Sequence, residues 1–418
     1  MRFVHVADVH LDTSFAGRSE PVRRRLRDAS REAFSRAVDL AIREDVHAFL
    51  VAGDLFDGDR LSFQTERFLL EQAHRLGQHG VTLVYATGNH DPGAGDAGPR
   101  PLPWPAAVRV AMDGTPRRIG ILDREGRPVG FVTAVGHATS TERDDLSRRF
   151  PRPVGELPEV GLLHTQVHAS PGGEAHHAYA PSELAWLQRS GYDYWALGHV
   201  HVRQILSQDP PVVYAGSLQG RTHAETGPKG AYLVDLSDRG APAISFRAVA
   251  PVRWETLTVD GLDDADSLDR IERRVAAAWD AFRAEGGAGS GTEWVLRVIL
   301  EGASPLWREL RRESDLAVVS SELRQLTGAL DVTVQADRVH PVIPVEEHRA
   351  RRDVLGEVLR LAEAVRRGEA RIPGLDAADL AGLSTESREA QERYVRRLME
   401  EADGELTARL LGADGGGR

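Results

Sequence analysis

The sequence predicts an α/β protein whose sheet is covered on both faces, followed by a smaller α/β unit and terminal helices. Two observations lead there. Across residues 1–250, apolar β-rich runs alternate with amphipathic helical stretches, the pattern of strands covered by helices. After Pro251 the composition shifts toward Asp, Arg and Ala, and Gly and Pro breaks recur. The 418 residues accommodate two to three domains at about 150 residues each.

The elements follow in order. Strands are predicted at Phe3–Val6, Ala48–Val51, Thr82–Ala86, Gly161–Leu163, Tyr194–Leu197 and Val212–Tyr214, each an apolar run ending in a polar cluster. Between the first two lies a helix over 19–44, with Val22, Leu26, Ala33, Ala37 and Ile42 as its apolar stripe, Ser19 as cap and Pro21 in the first turn. A second helix spans 63–78 behind Ser62. Beyond Pro251 come a helix over 263–285, a GGAGSG turn at 286–291, a strand Trp294–Leu300, helical segments over 305–327 and a strand Val332–Gln335. Pro341 and Pro344 break the chain before helices over 345–367 and 385–411. Val354, Val358, Leu361 and Val365 form the apolar stripe of the first of these; Val395, Leu398, Ala402, Leu406 and Leu410 form that of the second.

Composition excludes several classes. The apolar fraction is 41% and the charged fraction 28%, ordinary for a globular protein. No apolar run is long enough for a transmembrane helix, and the start shows no secretory pattern, so a cytoplasmic location is expected. With no cysteine there are no disulfides, thiolate metal sites or cysteine nucleophiles. Lys229 is the only lysine and stands in TGPKGA, which is not a phosphate-cradling glycine loop; ATP hydrolysis by this chain is not expected. The net charge of −11 argues mildly against nucleic acid, although Arg117-Arg118 and Arg148-Arg149 with Arg152 can form a local basic patch.

The chemistry is concentrated at strand ends. Asp8 and His10 follow FVHVA; Asp54 follows AFLVAG; Asn89, His90 and Asp91 follow TLVYATG; His164 ends VGLL; His199 and His201 follow YWALG. In open α/β sheets, ligands collect outside the carboxyl ends of strands. A lone histidine at a strand end is usually structural, but five such clusters in one order are hard to obtain by chance. Imidazoles, carboxylates and one amide oxygen suit Mn²⁺, Fe or Zn²⁺. A carboxylate in the middle of the set can bridge two cations about 3.5–4 Å apart. His5, His47, His74, His79 and His348 lie away from strand ends and read as structural, whereas His137, His168, His176, His177 and His223 fall in loops within reach of the site.

The series DVH, GDLFD, GNHD, LLHT and GHVH resembles the calcineurin-like metallophosphoesterase superfamily over residues 1–235. HVADVHLD, YAPSEL before GYDYWALGHVH, and VVYAGSLQGRTHAETGPKGAYLV after it look like the SbcD-type DNA double-strand-break repair nucleases, especially the YhaO-like branch. Protein Ser/Thr phosphatases fit poorly, since they would show GNHE and an arginine where Gly58 follows Asp57.

The resemblance implies an α/β fold built as a metallophosphoesterase β-sandwich flanked by helices, with a smaller α/β capping domain and C-terminal helices. It divides the chain into a nuclease domain (1–250), a cap (251–342) and a helical partner-binding region (343–418). Two divalent cations, Mn²⁺ foremost, are implied, one held by Asp8, His10, Asp54 and His201, the other by Asp54, Asn89, His164 and His199. His90 would stand near the scissile phosphate with Asp91 fixing its tautomer, and Asp57 would support the site indirectly. Arg221 and Lys229 are candidate phosphate contacts. The implied activity is DNA exonuclease, with some endonuclease activity, in double-strand-break repair. The implied partners are DNA and an SMC-like ABC ATPase on a separate chain; a homodimer stays open.

Two rival readings remain. A phosphodiesterase or phosphatase of small nucleotides or phosphoesters would share every metal ligand; the extra C-terminal residues and the QGR…ETGPKG segment separate it from a nuclease. A non-catalytic scaffold is the other, and the intact His90 argues against it.

Overall fold

A computed structural model of the chain describes residues 1–57, 61–93, 102–168, 170, 179–236, 242–286, 291–342, 345–372, 394–396, 398–399 and 402–413. Two compact units emerge: Met1–Glu255 with Ser290–Trp294, and Thr256–Gly289 with Val295–Arg418.

The first unit holds two six-stranded sheets. Its strands are β1 (Arg2–Val6), β2 (Ala48–Ala52), β3 (Thr82–Ala86), β4 (Val108–Ala111), β5 (Arg117–Leu122), β6 (Pro128–Val135), β7 (Glu159–His164), β8 (Tyr194–Gly198), β9 (Gln204–Gln208), β10 (Pro211–Tyr214), β11 (Gly230–Asp235) and β12 (Ala243–Ala248). The orders are β12-β11-β1-β2-β3-β4 and β5-β6-β7-β8-β10-β9. Helices α1 (Glu20–Arg43), α2 (Phe63–Gln78) and α3 (Leu184–Arg189) complete the unit.

Side-chain alternation explains the layering. In β1, Phe3 and Ala7 face inward to meet Val132, Val160, Leu162, Tyr194 and Ala196 of the other sheet. Val4 and Val6 face outward into a core shared with Leu40, Phe34 and Ala37 of α1 and with Leu69 and Leu76 of α2. Trp195, Leu197 and Tyr214 cover the outer face of the second sheet together with Leu187 of α3. The first unit is thus the β-sandwich flanked by helices that the resemblance implies, two sheets with a helix layer on each outer face. Strands buried on both faces are uniformly apolar, as expected for parallel strands.

The second unit contains the remainder of β13 (Val252–Val259), with β14 (Glu293–Ala303) and β15 (Asp331–His340) forming a three-stranded sheet in sequence order. Its helices are α4 (Leu268–Gly286), α5 (Glu313–Thr327), α6 (Val345–Arg349), α7 (Val354–Arg367) and α8 (Ala402–Ala413). Helix α8 packs on β15 and α7, and Asp403 accepts from Arg349 at 3.0 Å and Arg366 at 2.8 Å.

The predicted spans of α1 and α2 match those observed. Ser19 occupies the N-cap position of α1 without a side-chain hydrogen bond, whereas Ser62 caps α2 by accepting from Thr65 N. The buried face of α7 shares Val365 with the predicted stripe but not Val354 or Leu361. Leu355, Leu359, Ala362 and Val365 are buried, while Val354 is 70% and Leu361 36% exposed. Most of residues 385–401 lie outside the described residues.

Register sets the site. Parallel pairing aligns Val6 with Val51 and Ala52 with Ala86, so the residues after β1, β2 and β3 leave the sheet side by side. In the other sheet His164 pairs with Gly198, placing the β7 end beside His199.

Candidate metal centre

The turns after these strands are tight and unusual. Asp8, His10, Asp54 and His199 all have positive φ, at 48°, 47°, 52° and 106°. Such conformations are sparsely populated for non-glycine residues and persist where surroundings hold them. Here His10 N donates to Asp54 O at 2.9 Å and Asp8 N to Gly53 O at 3.2 Å, locking the first turn to the second. Gly53 has φ +84°, and a Cβ there would overlap the His164 ring; one on Gly88 would overlap the Asp54 carboxylate. The chain comes this close to its own ligating groups only because both positions are glycine.

The structure brings together all seven residues singled out as ligands. Ligand atoms of Asp8, His10 and His201 lie within 4.8 Å of one another, as do those of Asp8, Asp54 and His164. Asp54 Oδ2 lies 3.6 Å from His10 Nε2 and 3.4 Å from His164 Nε2, so one oxygen faces both groups. His201 Nε2 is 3.8 Å from Asp8 Oδ1. Asn89 Oδ1 is 2.9 Å from His164 Nε2 and 3.2 Å from His199 Nδ1.

The residues fit a pair of cations. His164 Nδ1 donates to the Ala52 carbonyl at 2.9 Å, so in the neutral ring Nε2 carries a lone pair that faces the Asn89 and Asp54 oxygens. Burial holds this imidazole well below its ordinary pKa, with His199 nearby adding to the effect. Three electron-rich atoms pointing at one another in a buried place call for a positive charge between them. Both nitrogens of His10 are buried without a hydrogen-bond partner. Burial, then the neighbouring Asp54, push the Asp8 carboxyl well above its usual range, and burial with the nearby Asp91 raises Asp54 to about 7. Carboxylates crowded in this way are the cost of an anionic cage, and a dication relieves it.

His90 stands beside this cage, its side chain 42% exposed, with Nδ1 2.6 Å from Asp57 Oδ1. The expected partner, Asp91, is elsewhere. It is buried and accepts from Gly88 N at 2.6 Å, Leu55 N at 2.5 Å, Asp54 N at 3.2 Å and the Tyr85 hydroxyl at 2.5 Å. Adjacent residues project apart, so Asp91 braces the β2 and β3 turns from below while Asp57 takes the imidazole. The Asp57 bond raises the His90 pKa against the opposing effect of burial. Partial burial opposes ionisation of Asp57, but the rings of His10 and His90 hold its carboxyl far below the usual range.

Arg221 and Lys229 point at protein groups. Arg221 Nη1 is 3.6 Å from Asp57 Oδ2 and its backbone N donates to Glu225; Lys229 Nζ donates to the His201 carbonyl at 3.3 Å. Glu225, which the sequence reading did not single out, accepts from His201 Nδ1 at 3.1 Å. Its only signal was a place four residues after Arg221 in the flagged QGR…GPKG segment.

The other histidines separate cleanly. His5 pairs with the Tyr194 hydroxyl at 3.1 Å inside the sandwich. His137 is buried with Nε2 2.8 Å from the His164 carbonyl, so it supports a ligand's backbone and does not reach outward. His223 lies 3.1 Å from Arg18, and exposed His168 lies 3.6 Å from Glu183. His176 and His177 lie outside the described residues. Four of the five arginines in the clusters are paired, Arg117 with Asp113, Arg118 with Glu159, Arg148 with Asp145 and Arg149 with Asp144, and Arg152 is exposed.

A sandwich that gathers carboxylates, imidazoles and an amide at adjoining strand ends defines a metallophosphoesterase. The calcineurin-like phosphoesterase family pattern matches residues 1–203, and the chain belongs to that family of hydrolases, whose members use a dimetal centre. Among individual proteins, it is 32% identical over 311 residues to the uncharacterized metallophosphoesterase YhaO of Bacillus subtilis, covering 73% of each chain. It is 29% identical over 358 residues to the DNA double-strand break repair protein Mre11 of Aeropyrum pernix, covering 80% of this chain and 79% of that one. It is 26% identical over 287 residues to a subunit of the nuclease SbcCD of Rhodobacter capsulatus, covering 58% of this chain and 68% of that one. No helix among the described residues is long and apolar enough to cross a membrane.

Proposed function

We propose that this chain is a two-metal phosphodiesterase that hydrolyses DNA, as an exonuclease with some endonuclease activity, in double-strand-break repair beside an SMC-like ABC ATPase on a separate chain. One observation carries the two-metal part: Asp54 Oδ2 faces His10 Nε2 on one side and His164 Nε2 on the other. Asp8, His10, Asp54 and His201 would hold one cation, and Asp54, Asn89, His164 and His199 the other, with Mn²⁺ suited to this oxygen and nitrogen set. Bound there, two divalent cations would supply an activated water and neutralise charge building on the phosphoryl oxygens.

The chain's own residues do the rest. Asp54 Oδ1 accepts from His90 N at 2.9 Å, fixing the His90 backbone to the bridging carboxylate. Asp57 takes Nδ1–H, leaving Nε2–H to donate to the departing oxygen. Because Asp57 raises the His90 pKa, the ring keeps that proton to higher pH than a free imidazole.

The choice of DNA rests on what the relatives' names say of them, a repair protein and a nuclease subunit. The test is Mn²⁺-dependent turnover of end-labelled linear duplex, beside bis-p-nitrophenyl phosphate and cyclic nucleotides, with His90→Ala as control. Label released from duplex by the wild type and not by the variant supports the reading. Turnover of the small molecules alone overturns it in favour of a small-phosphoester hydrolase.

A further inference from the structure

We propose that Glu225 is a positioning residue for the cation held by Asp8, His10, Asp54 and His201. The proposal rests on the dinuclear reading above. The loop between β10 and β11 carries Arg221, Glu225 and Lys229 at four-residue spacing, and all three side chains end on one ligand. Glu225 Oε1 accepts from His201 Nδ1 at 3.1 Å. Arg221 Nη2 lies 3.4 Å and 3.5 Å from the two ring nitrogens. Lys229 Nζ donates to the His201 carbonyl at 3.3 Å. Glu225 is buried, and its other oxygen accepts from Arg221 N at 3.2 Å.

The consequence is a tautomer and an orientation. With Nδ1–H given to Glu225, the lone pair of His201 stays on Nε2, the atom that faces Asp8. A carboxylate behind a ligating imidazole also raises its basicity. His164, on the other position, is held by the backbone carbonyl of Ala52, which no side-chain change removes. Of these two imidazoles, only His201 depends on an ionisable side chain for its pose. The same position has Arg221 and Lys229 beside its ligand, with Arg221 itself near the Asp57 and Glu225 carboxylates. Loss of Glu225 is therefore felt at this position and not at the one held by His164.

The experiment is a Mn²⁺ titration of the full chain by calorimetry, for wild type, Glu225→Gln, Glu225→Ala and His201→Ala, with thermal unfolding of each. The wild type is expected to bind two equivalents. Glu225→Ala should weaken one of them about 10- to 100-fold, the same equivalent that His201→Ala abolishes, and leave the other unchanged. Glu225→Gln, whose amide oxygen still accepts from Nδ1–H and whose shape is conserved, should fall between. Loss from neither equivalent, or parallel loss from both, overturns the proposal while leaving the dinuclear reading intact. A wild type that binds fewer than two equivalents overturns the dinuclear reading itself, and the proposal with it.

Discussion

The Asp54 carboxylate divides its work between two atoms: Oδ1 accepts from His90 N, while Oδ2 faces ligands from both sheets. In the metal-free chain its pKa is raised to about 7. The folded chain therefore takes up a proton that the unfolded chain, with an ordinary carboxyl, does not. The stability tied to this group is fullest below the unfolded value and is lost as pH rises through about 7. Cations bind the ionised form, so their affinity rises over the same window. Mn²⁺ added to stripped protein should raise the melting temperature more at about pH 8 than at about pH 6, read by scanning calorimetry; an equal rise at both would contradict it. A second prediction concerns His90. His90→Ala should keep both metals and lose about 10²- to 10⁴-fold in turnover. Asp57→Asn should keep them too, but shift the alkaline limb of the rate profile to lower pH, since it removes the bond that raises the His90 pKa. An unmoved limb would separate Asp57 from the proton. The seven candidate ligands were legible because ligating residue types at strand ends are a pattern of sequence alone. The partner of His90 was not, because adjacency in sequence favours Asp91 while side-chain direction selects Asp57. Glu225 meets His201 across 24 residues of chain, and no local pattern announces such a meeting.

Among elements, the legible ones are those whose environment is uniform. Strands β2, β3 and β8, buried along their length, appear as continuous apolar runs. Strand β5 at a sheet edge has the burial pattern of a mostly exposed strand, so no apolar run marks it and its Arg117-Arg118 start reads only as part of a basic patch. Helix α7 shows the opposite difficulty. Val354, Val358 and Leu361 repeat at i, i+4 and i+7, and so do Leu355, Leu359 and Ala362. Periodicity cannot choose between two apolar stripes on one helix; packing does, and it buries the second set together with Val365 of the predicted stripe. Leu359→Ala should cost the second unit about 2–5 kcal/mol, and Val354→Ala within about 0.5 kcal/mol of nothing. Native-state hydrogen exchange of α7 amides measures both. Equal costs would return the burial to the predicted stripe.

At the scale of the whole molecule, the first compact unit joins Met1–Glu255 to Ser290–Trp294. The C-terminal helices, which the resemblance implies bind a partner, have α8 packed on β15 and α7 within the second unit. Charge gives a further expectation. The chain carries −11 overall, and four of the five arginines of its candidate basic patches, all but Arg152, are paired with acids. Attraction for a polyanion must then come largely from bound cations, in contrast to proteins that neutralise phosphates with many basic side chains. Duplex binding, measured by filter retention with the His90→Ala chain, should be at least about 10-fold tighter with Mn²⁺ than after chelation; equal retention would mean that a protein surface does the binding. The most direct measurement for the account is anomalous diffraction from crystals grown with Mn²⁺. Two peaks about 3.5–4 Å apart are predicted, with Asp54 touching both, one peak also touching Asp8, His10 and His201 and the other Asn89, His164 and His199. A single peak, or two peaks that do not share Asp54, would contradict it.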